Sequence, residues 1–250
     1  MNGDKIGNDD GAITSGKIAR PDGEFEHVNT WIFDLDNTLY PADCNLFAQI
    51  DQRMGSFIAE FLDLSFADAR LIQKQYYYDY GTTLSGLMAL HDLKPERYLE
   101  YVHDIDLSVV KPSPSLRASL EKLPGRRLIF TNGSRTHGTN VAERLGVLDL
   151  FDDVFDIGAA NYIPKPDARA YKHLLDAHDV DGAHAAMFED MPQNLIEPHV
   201  LGMTTVLIQS DYFDHPAQRQ LSDQQELPPH IHHMTRDLDE FLKTLVSDIA

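Results

Sequence analysis

Cysteine occurs once in 250 residues, at Cys44, so no intramolecular disulfide can form and no multi-cysteine metal site can be built. That usage fits a reducing compartment, and the lone thiol reads as a small buried or half-buried side chain in preference to a nucleophile. Basic charge is scarce: 21 Lys and Arg face 40 Asp and Glu, a net charge of −19. No basic run offsets it, which argues against a nucleic-acid polymer as partner. Long hydrophobic runs are missing too. No continuous apolar stretch reaches the roughly 18 residues of a membrane span, and the N-terminus has no apolar signal core. The expectation is a cytoplasmic protein with no membrane partner. If such an acidic chain handles an anionic substrate, positive potential must be concentrated locally, by a metal ion, a lysine or backbone amides at helix starts.

What is present is the composition of a globular protein with strand and helix signals in alternation. Residues 1–26 are rich in Gly, Asp, Asn and Lys without apolar periodicity and read as a flexible leader. Short apolar segments at 30–35, 127–131, 154–157, 185–188 and 205–208 read as strands. Helical patterns lie between most of them. Residues 135–145 end at Gly146, a suitable C-cap; 167–178 follow a proline suited to a first helical turn; 195–201 precede Gly202. This alternation predicts an α/β fold, a Rossmann-like parallel sheet core. About ninety residues separate the first two strands where one crossover helix needs a dozen. Helical spacing at 46–62, 66–80, 84–91 and 95–102 fills the gap, so a helical cap domain is expected over 42–110, inserted into a core of 27–41 and 111–250. Pro112 and Pro114 mark the return to the sheet.

The chemistry is concentrated at predicted strand ends. Asp34 and Asp36 follow the apolar run Trp31-Ile32-Phe33, two carboxylates at the rim where ligands bind in open parallel sheets. An acidic turn would account for Asp-x-Asp alone, but three further segments add to it. Phe130-Thr131-Asn132-Gly133-Ser134 is a small polar turn ahead of a helix, with a hydroxyl and amides suited to an oxyanion or phosphate. Lys165 lies just before another helix, where a cation would neutralise a bound phosphate. Glu189 and Asp190 end the fourth strand, and four carboxylates on one rim would repel strongly without a hard divalent ion such as Mg²⁺. His230, His232 and His233 invite a metal reading, but the segment reads better as a short final strand before a helix at 237–245.

In order and spacing, Asp34-x-Asp36, Thr131, Lys165 and Glu189-Asp190 resemble the four motifs of the haloacid dehalogenase-like hydrolase superfamily. The resemblance spans about residues 31–209, and the helical insert falls where that family places one type of cap. Phe33 to Pro41, Tyr80-Gly81-Thr82-Thr83-Leu84-Ser85-Gly86-Leu87 and Asp190-Met191-Pro192-Gln193-Asn194-Leu195 are most similar to the pyrimidine 5′-nucleotidase branch. Glu189-Asp190 departs from the paired aspartates of many relatives in that branch.

The resemblance implies a Mg²⁺-dependent phosphatase. Asp34 would attack phosphorus to give an aspartyl-phosphate, with Asp36 as general acid and then general base, a role for which a raised Asp36 pKa is expected. Asp34, the carbonyl of Asp36 and Asp190 would hold the metal, with Glu189 acting through water. Thr131, the Asn132 amide and Lys165 would bind phosphoryl oxygens. The implied substrate is a small phosphorylated metabolite, a nucleoside 5′-monophosphate with a pyrimidine base stacked on Phe47, Tyr76, Tyr77 or Tyr80. A sugar phosphate or phosphoglycolate is the alternative substrate, and a binding protein that keeps the fold without turnover is the alternative class. An intact Asp36 favours phosphoester hydrolysis over carbon–halogen cleavage, because a departing halide needs no proton.

Overall fold

The computed structural model describes residues 25–210 and 227–249. Six strands form one parallel sheet: β1 (Thr30–Phe33), β2 (Arg126–Phe130), β3 (Asp153–Phe155), β4 (Ala185–Glu189), β5 (Thr204–Ile208) and β6 (His233–Thr235). Their order across the sheet is β3-β2-β1-β4-β5-β6, with β1 paired to both β2 and β4. Every residue of β1, β4 and β5 is buried, as expected of strands covered on both faces. Alternation divides them between two apolar layers. Trp31, Phe33 and Phe188 face one layer with Leu116, Leu145 and Leu242, while Ile32, Leu128 and Met187 face the other with Tyr171 and Leu174. The strand order changes direction between β1 and β4, so their C-terminal ends diverge around a crevice.

The long interval after β1 holds four helices, α1 (Leu46–Leu62), α2 (Phe66–Tyr80), α3 (Thr83–His91) and α4 (Pro95–Val102). They enclose an apolar cluster of their own around Ile50, Phe57, Ile58, Leu87 and Tyr98. Local signals set their ends. Ser65 caps α2 by accepting from the Asp68 amide, Thr82 caps α3 by accepting from Ser85, and Gly81 supplies the positive φ at which α2 stops. Gly86 lets α3 press against α2, since a Cβ there would sit 2.5 Å from Tyr76 Cβ. The remaining helices flank the sheet: α5 (Pro114–Leu120), α6 (Arg135–Leu145), α7 (Ala168–His178), α8 (Ile196–Val200) and α9 (Leu238–Asp248). No described helix is long and apolar enough to cross a membrane.

Several expectations are corrected in detail. The leader lies outside the described residues except at its end, where Phe25 is buried against the rings of Trp31, His233 and Phe241. Compositional polarity hid that aromatic anchor. Pro166 precedes the Asp167 N-cap of α7 and does not enter its first turn. Helix α5 forms where two prolines read as a linker, because Pro114 takes the first helical position and Ser113 caps it. His232 links β5 to the last strand by accepting from the Thr205 amide at 3.0 Å, with its other nitrogen 2.9 Å from His199. Among the described residues, the one group of three or more candidate metal ligands is Asp34, Glu189 and Asp190.

Candidate active site

The site lies at the crevice between the ends of β1 and β4. The Asp34 amide still donates to the Phe188 carbonyl, at 2.9 Å, so its side chain is set by the sheet itself. The chain then turns tightly, with the Thr38 and Leu39 amides donating to Leu35 and Asn37 at φ 61, and this turn carries Asp36. At the end of β4, oxygens of Glu189 and Asp190 come within 4.8 Å of each other and of an Asp34 oxygen.

Lys165 reaches this cluster from the loop before α7. Its Nζ donates to Asp34 Oδ1 at 2.6 Å, to Glu189 Oε1 at 2.8 Å and to the Phe130 carbonyl at 2.8 Å. An ammonium has three donors, and all three are used. Asn132 places that loop: its Oδ1 accepts from the Lys165 amide at 2.9 Å and its Nδ2 donates to the Lys165 carbonyl at 3.2 Å. With the Asn132 carboxamide so committed, its backbone amide is the group left for an oxyanion. Thr131 is buried, and its Oγ1 accepts from the Gly133 amide at 2.9 Å, which leaves the hydroxyl proton to donate. Glu189 accepts on both oxygens. Oε1 also accepts from Asn194 Nδ2 and Oε2 from the Met191 amide, each at 2.7 Å.

Two carboxylates two residues apart thus sit in opposite surroundings. Burial pushes Asp34 up to about 7, against the pull of Lys165 and with the help of repulsion from Glu189 and Asp36. Burial also drives Asp190 well above the usual carboxylate range, reinforced by Glu189 and Asp34. Burial opposes the charge on Lys165, but Asp34 and Glu189 outweigh it and hold the ammonium protonated. Burial raises Asp36 too, yet His137 and Tyr40 override it and hold the carboxyl below its ordinary value. The expectation of a raised Asp36 is therefore corrected: the donors around it, which the sequence motif does not contain, favour the anion. His137 Nε2 lies 2.8 Å from Asp36 Oδ1, and the Tyr40 hydroxyl donates to the same oxygen at 2.6 Å.

The cluster fits a metal on chemical grounds. Asp34, Glu189 and Asp190 set three carboxyl groups against the one positive charge of Lys165, and burial, then mutual repulsion, raises Asp34 and Asp190. A hard divalent cation with oxygen ligands would balance the excess. Both Glu189 oxygens already accept hydrogen bonds, whereas Lys165 engages Asp34 through Oδ1 and not Oδ2.

His137, His103, Tyr40 and Asn194 are site residues that the motif reading missed. Tyr40 and Asn194 stood within quoted motifs without a role, and the two histidines lie far in sequence from the groups they touch. Of the four aromatics considered for stacking, Tyr76 is withdrawn into the inserted helices, its hydroxyl 2.6 Å from His91. Tyr77 instead faces the sheet domain, where Gln193 Nε2 donates to its hydroxyl at 3.3 Å. Phe47 and Tyr80 are more than a third exposed, so both remain open to solvent.

Comparison with known proteins gives a family and a fold. Residues 28–195 match the family model described as haloacid dehalogenase-like hydrolase. A curated relative, phosphate metabolism protein 8 of Saccharomyces cerevisiae, is 27% identical over 195 residues; the match covers 71% of this chain and 60% of that protein. Among solved structures, a phosphatase of this family from Thermococcus onnurineus is similar with a TM-score of 0.58 at 20% identity, covering 87% of this chain and 98% of that one. An L-2-haloacid dehalogenase from Xanthobacter autotrophicus is similar with a TM-score of 0.53 at 15% identity, covering 89% and 100%. At those identities the structural likeness carries the fold alone. With its match extending from before Asp34 to just past Asp190, the chain belongs to the haloacid dehalogenase-like hydrolase family.

Proposed function

We propose that this protein is a metal-dependent phosphatase that hydrolyses small phosphate monoesters through an aspartyl-phosphate on Asp34. The observation that carries the reading is the pairing of Asp34, inside a buried cluster with Lys165, with Asp36, held outside that cluster on separate donors. A nucleophile and a proton-transfer group require such separate environments. Asp34 Oδ2 would attack phosphorus while the ester P–O bond breaks and Asp36 protonates the departing oxygen. A water molecule would then attack the acyl-phosphate, giving its proton to Asp36 and releasing phosphate. The first step draws on the protonated form of Asp36 and the second on its anion, which the donors around it favour.

Asp34, Asp190 and the carbonyl of Asp36 would hold Mg²⁺, which when bound supplies neutralisation of the phosphoryl charge. Glu189 serves better as the anchor of Lys165 than as a direct ligand, since both its oxygens are engaged. The Thr131 hydroxyl and Asn132 amide are suited to phosphoryl oxygens. Lys165 would join them only by exchanging one of its three present bonds. Asp36 also favours ester hydrolysis over dehalogenation, because an alkoxide leaving group needs the proton that a halide does not.

The inserted helices over 42–110 would act as a cap that selects the leaving group. The substrate we favour is a pyrimidine nucleoside 5′-monophosphate. Similarity of 33–41, 80–87 and 190–195 to the pyrimidine 5′-nucleotidase branch supports it, as does Tyr77, an aromatic ring of the insert beside Gln193. The test is phosphate release from UMP, CMP, AMP, GMP and several sugar phosphates, with Mg²⁺ and with EDTA. Metal-dependent turnover led by UMP and CMP supports the full reading. A sugar phosphate leading the panel moves the substrate but keeps the chemistry, and no turnover on any ester overturns the phosphatase reading.

A further inference from the structure

Asp36 sits between the two linkers that join the inserted helices to the sheet domain, and each linker contributes to its surroundings. Tyr40, on the outgoing linker, donates to Oδ1 at 2.6 Å. His103, the C-cap of α4, begins the return linker, and its imidazole stacks on His137 with centroids 4.3 Å apart and planes 8° from parallel. His137 in turn lies 2.8 Å from the same Oδ1. Whenever Asp36 is ionised it can only accept, and His137 Nε2 is then the donor. Ser134 ties the stack to α6: its Oγ accepts from the His137 amide at 3.3 Å and lies 3.0 Å from His103 Nδ1. Gly133 makes room for both rings, since a Cβ there would lie 3.2 Å from His137 Cδ2 and 3.5 Å from His103 Nε2.

We propose that His137 and His103 are positioning residues for proton transfer by Asp36, with His103 tying that function to the return linker of the insert. Two donors on Oδ1 fix the rotation of the carboxylate and leave Oδ2 directed to the leaving oxygen. Parallel imidazole rings restrict each other's tilt, so His103 holds His137 in line with Oδ1 without touching Asp36. Burial, followed by the neighbouring His137, lowers His103 to about 3, so it acts as a neutral ring. The half-buried His103 ring, with its Nδ1 on Ser134 and its face on His137, ties the linker to the surroundings of Asp36.

The inference rests on the proposed phosphatase reading, and leaving-group dependence tests it. A nucleoside monophosphate departs as an alkoxide and needs the proton from Asp36, whereas p-nitrophenyl phosphate releases a phenolate that leaves without it. In the full chain with Mg²⁺, His137→Ala is expected to lower kcat on the nucleotide about 10- to 100-fold, part of the range that general acid–base catalysis spans. The expected loss on p-nitrophenyl phosphate is several-fold smaller, with KM little changed on either ester. His137→Gln, which keeps a donor, should recover part of the loss. His103→Ala should give a weaker version of the same selective loss, and His103→Phe, which keeps the stacked face but not the contact with Ser134, should lose less than His103→Ala. Equal losses on both esters, or a change in KM alone, would overturn the proposal. If His137→Ala does not fold, His137→Gln and the two His103 variants decide it by the same ratio of losses. Wild-type protein inactive on both esters would refute the phosphatase reading and this one with it, whereas active wild type with unselective variants refutes this one alone.

Discussion

Replacing Lys165 with methionine removes the ammonium from the carboxylate cluster and keeps a side chain of similar reach. Three hydrogen bonds of 2.6–2.8 Å go with it, from Asp34, Glu189 and the Phe130 carbonyl. Deleting one partner of a buried ion pair costs about 3–5 kcal/mol, because the remaining charge is left uncompensated. Here two carboxylates lose the same partner. Lys165 pulls Asp34 down toward its value of about 7, so in the variant Asp34 titrates higher still. The folded variant then keeps protons near neutral pH that the folded wild type releases. A folded state with excess bound protons loses stability as pH rises, at about 1.4 kcal/mol for each unit of added shift. Already in the wild type, the raised Asp34 makes metal-free stability fall from about pH 4 through 7; the variant's fall should be deeper and extend further. The assay is urea unfolding in EDTA at about pH 5, 6.5 and 8. A deficit of about 3–5 kcal/mol is expected near pH 8, shrinking toward pH 5, where Asp34 is neutral in both proteins. An equal deficit at every pH, or a larger one at pH 5, would refute the electrostatic reasoning.

Other outcomes follow from the same geometry. Asp34→Asn should lower phosphate release by about 10³-fold or more in a steady-state assay while the protein still folds, because it removes the attacking group. Asp36→Asn should depress kcat on a nucleotide far more than on p-nitrophenyl phosphate; equal depression would deny it the acid role. Mg²⁺ should raise the melting temperature of the wild type, with about 2.7 kcal/mol expected at a hundredfold excess over Kd, and Asp190→Asn should abolish most of that shift in calorimetry. Gly125→Ala should destabilise the fold by about 1–3 kcal/mol or more in denaturant titration. Gly125 has φ +80, and a Cβ there would come within 2.1 Å of the Asn29 carbonyl.

Much of the fold was legible because local chemistry marks its boundaries. Ser134 and Gly146 bracket α6, and Ser65 and Gly81 bracket α2, at the residues where caps and positive φ are needed. Continuous apolar runs gave the strands, since both faces of this sheet are covered. The strand order was not legible: nothing in β3 or β4 states that one lies at the edge and the other beside β1. Within the site, Asp34, Thr131, Glu189 and Asp190 stand at strand ends and Lys165 on the loop before α7, positions that the sequence pattern marks. The residues that set Asp36 are not so marked, because His137 lies 101 residues from it and meets it only through the fold. His103 was further hidden, since it acts on Asp36 only through the His137 ring. The expected direction of the Asp36 shift failed for the same reason: burial was foreseeable, but the donors that outweigh it were not.

The most direct test of the account is to look for the phosphoryl group on Asp34. Protein mixed with a turned-over monoester and Mg²⁺ is quenched in acid within milliseconds, digested and examined by mass spectrometry. The account expects one added phosphoryl group on Asp34, absent in Asp34→Asn and decaying in step with phosphate release. Steady turnover with no phosphorylated Asp34 at any quench time, or with the label on another residue, would contradict it.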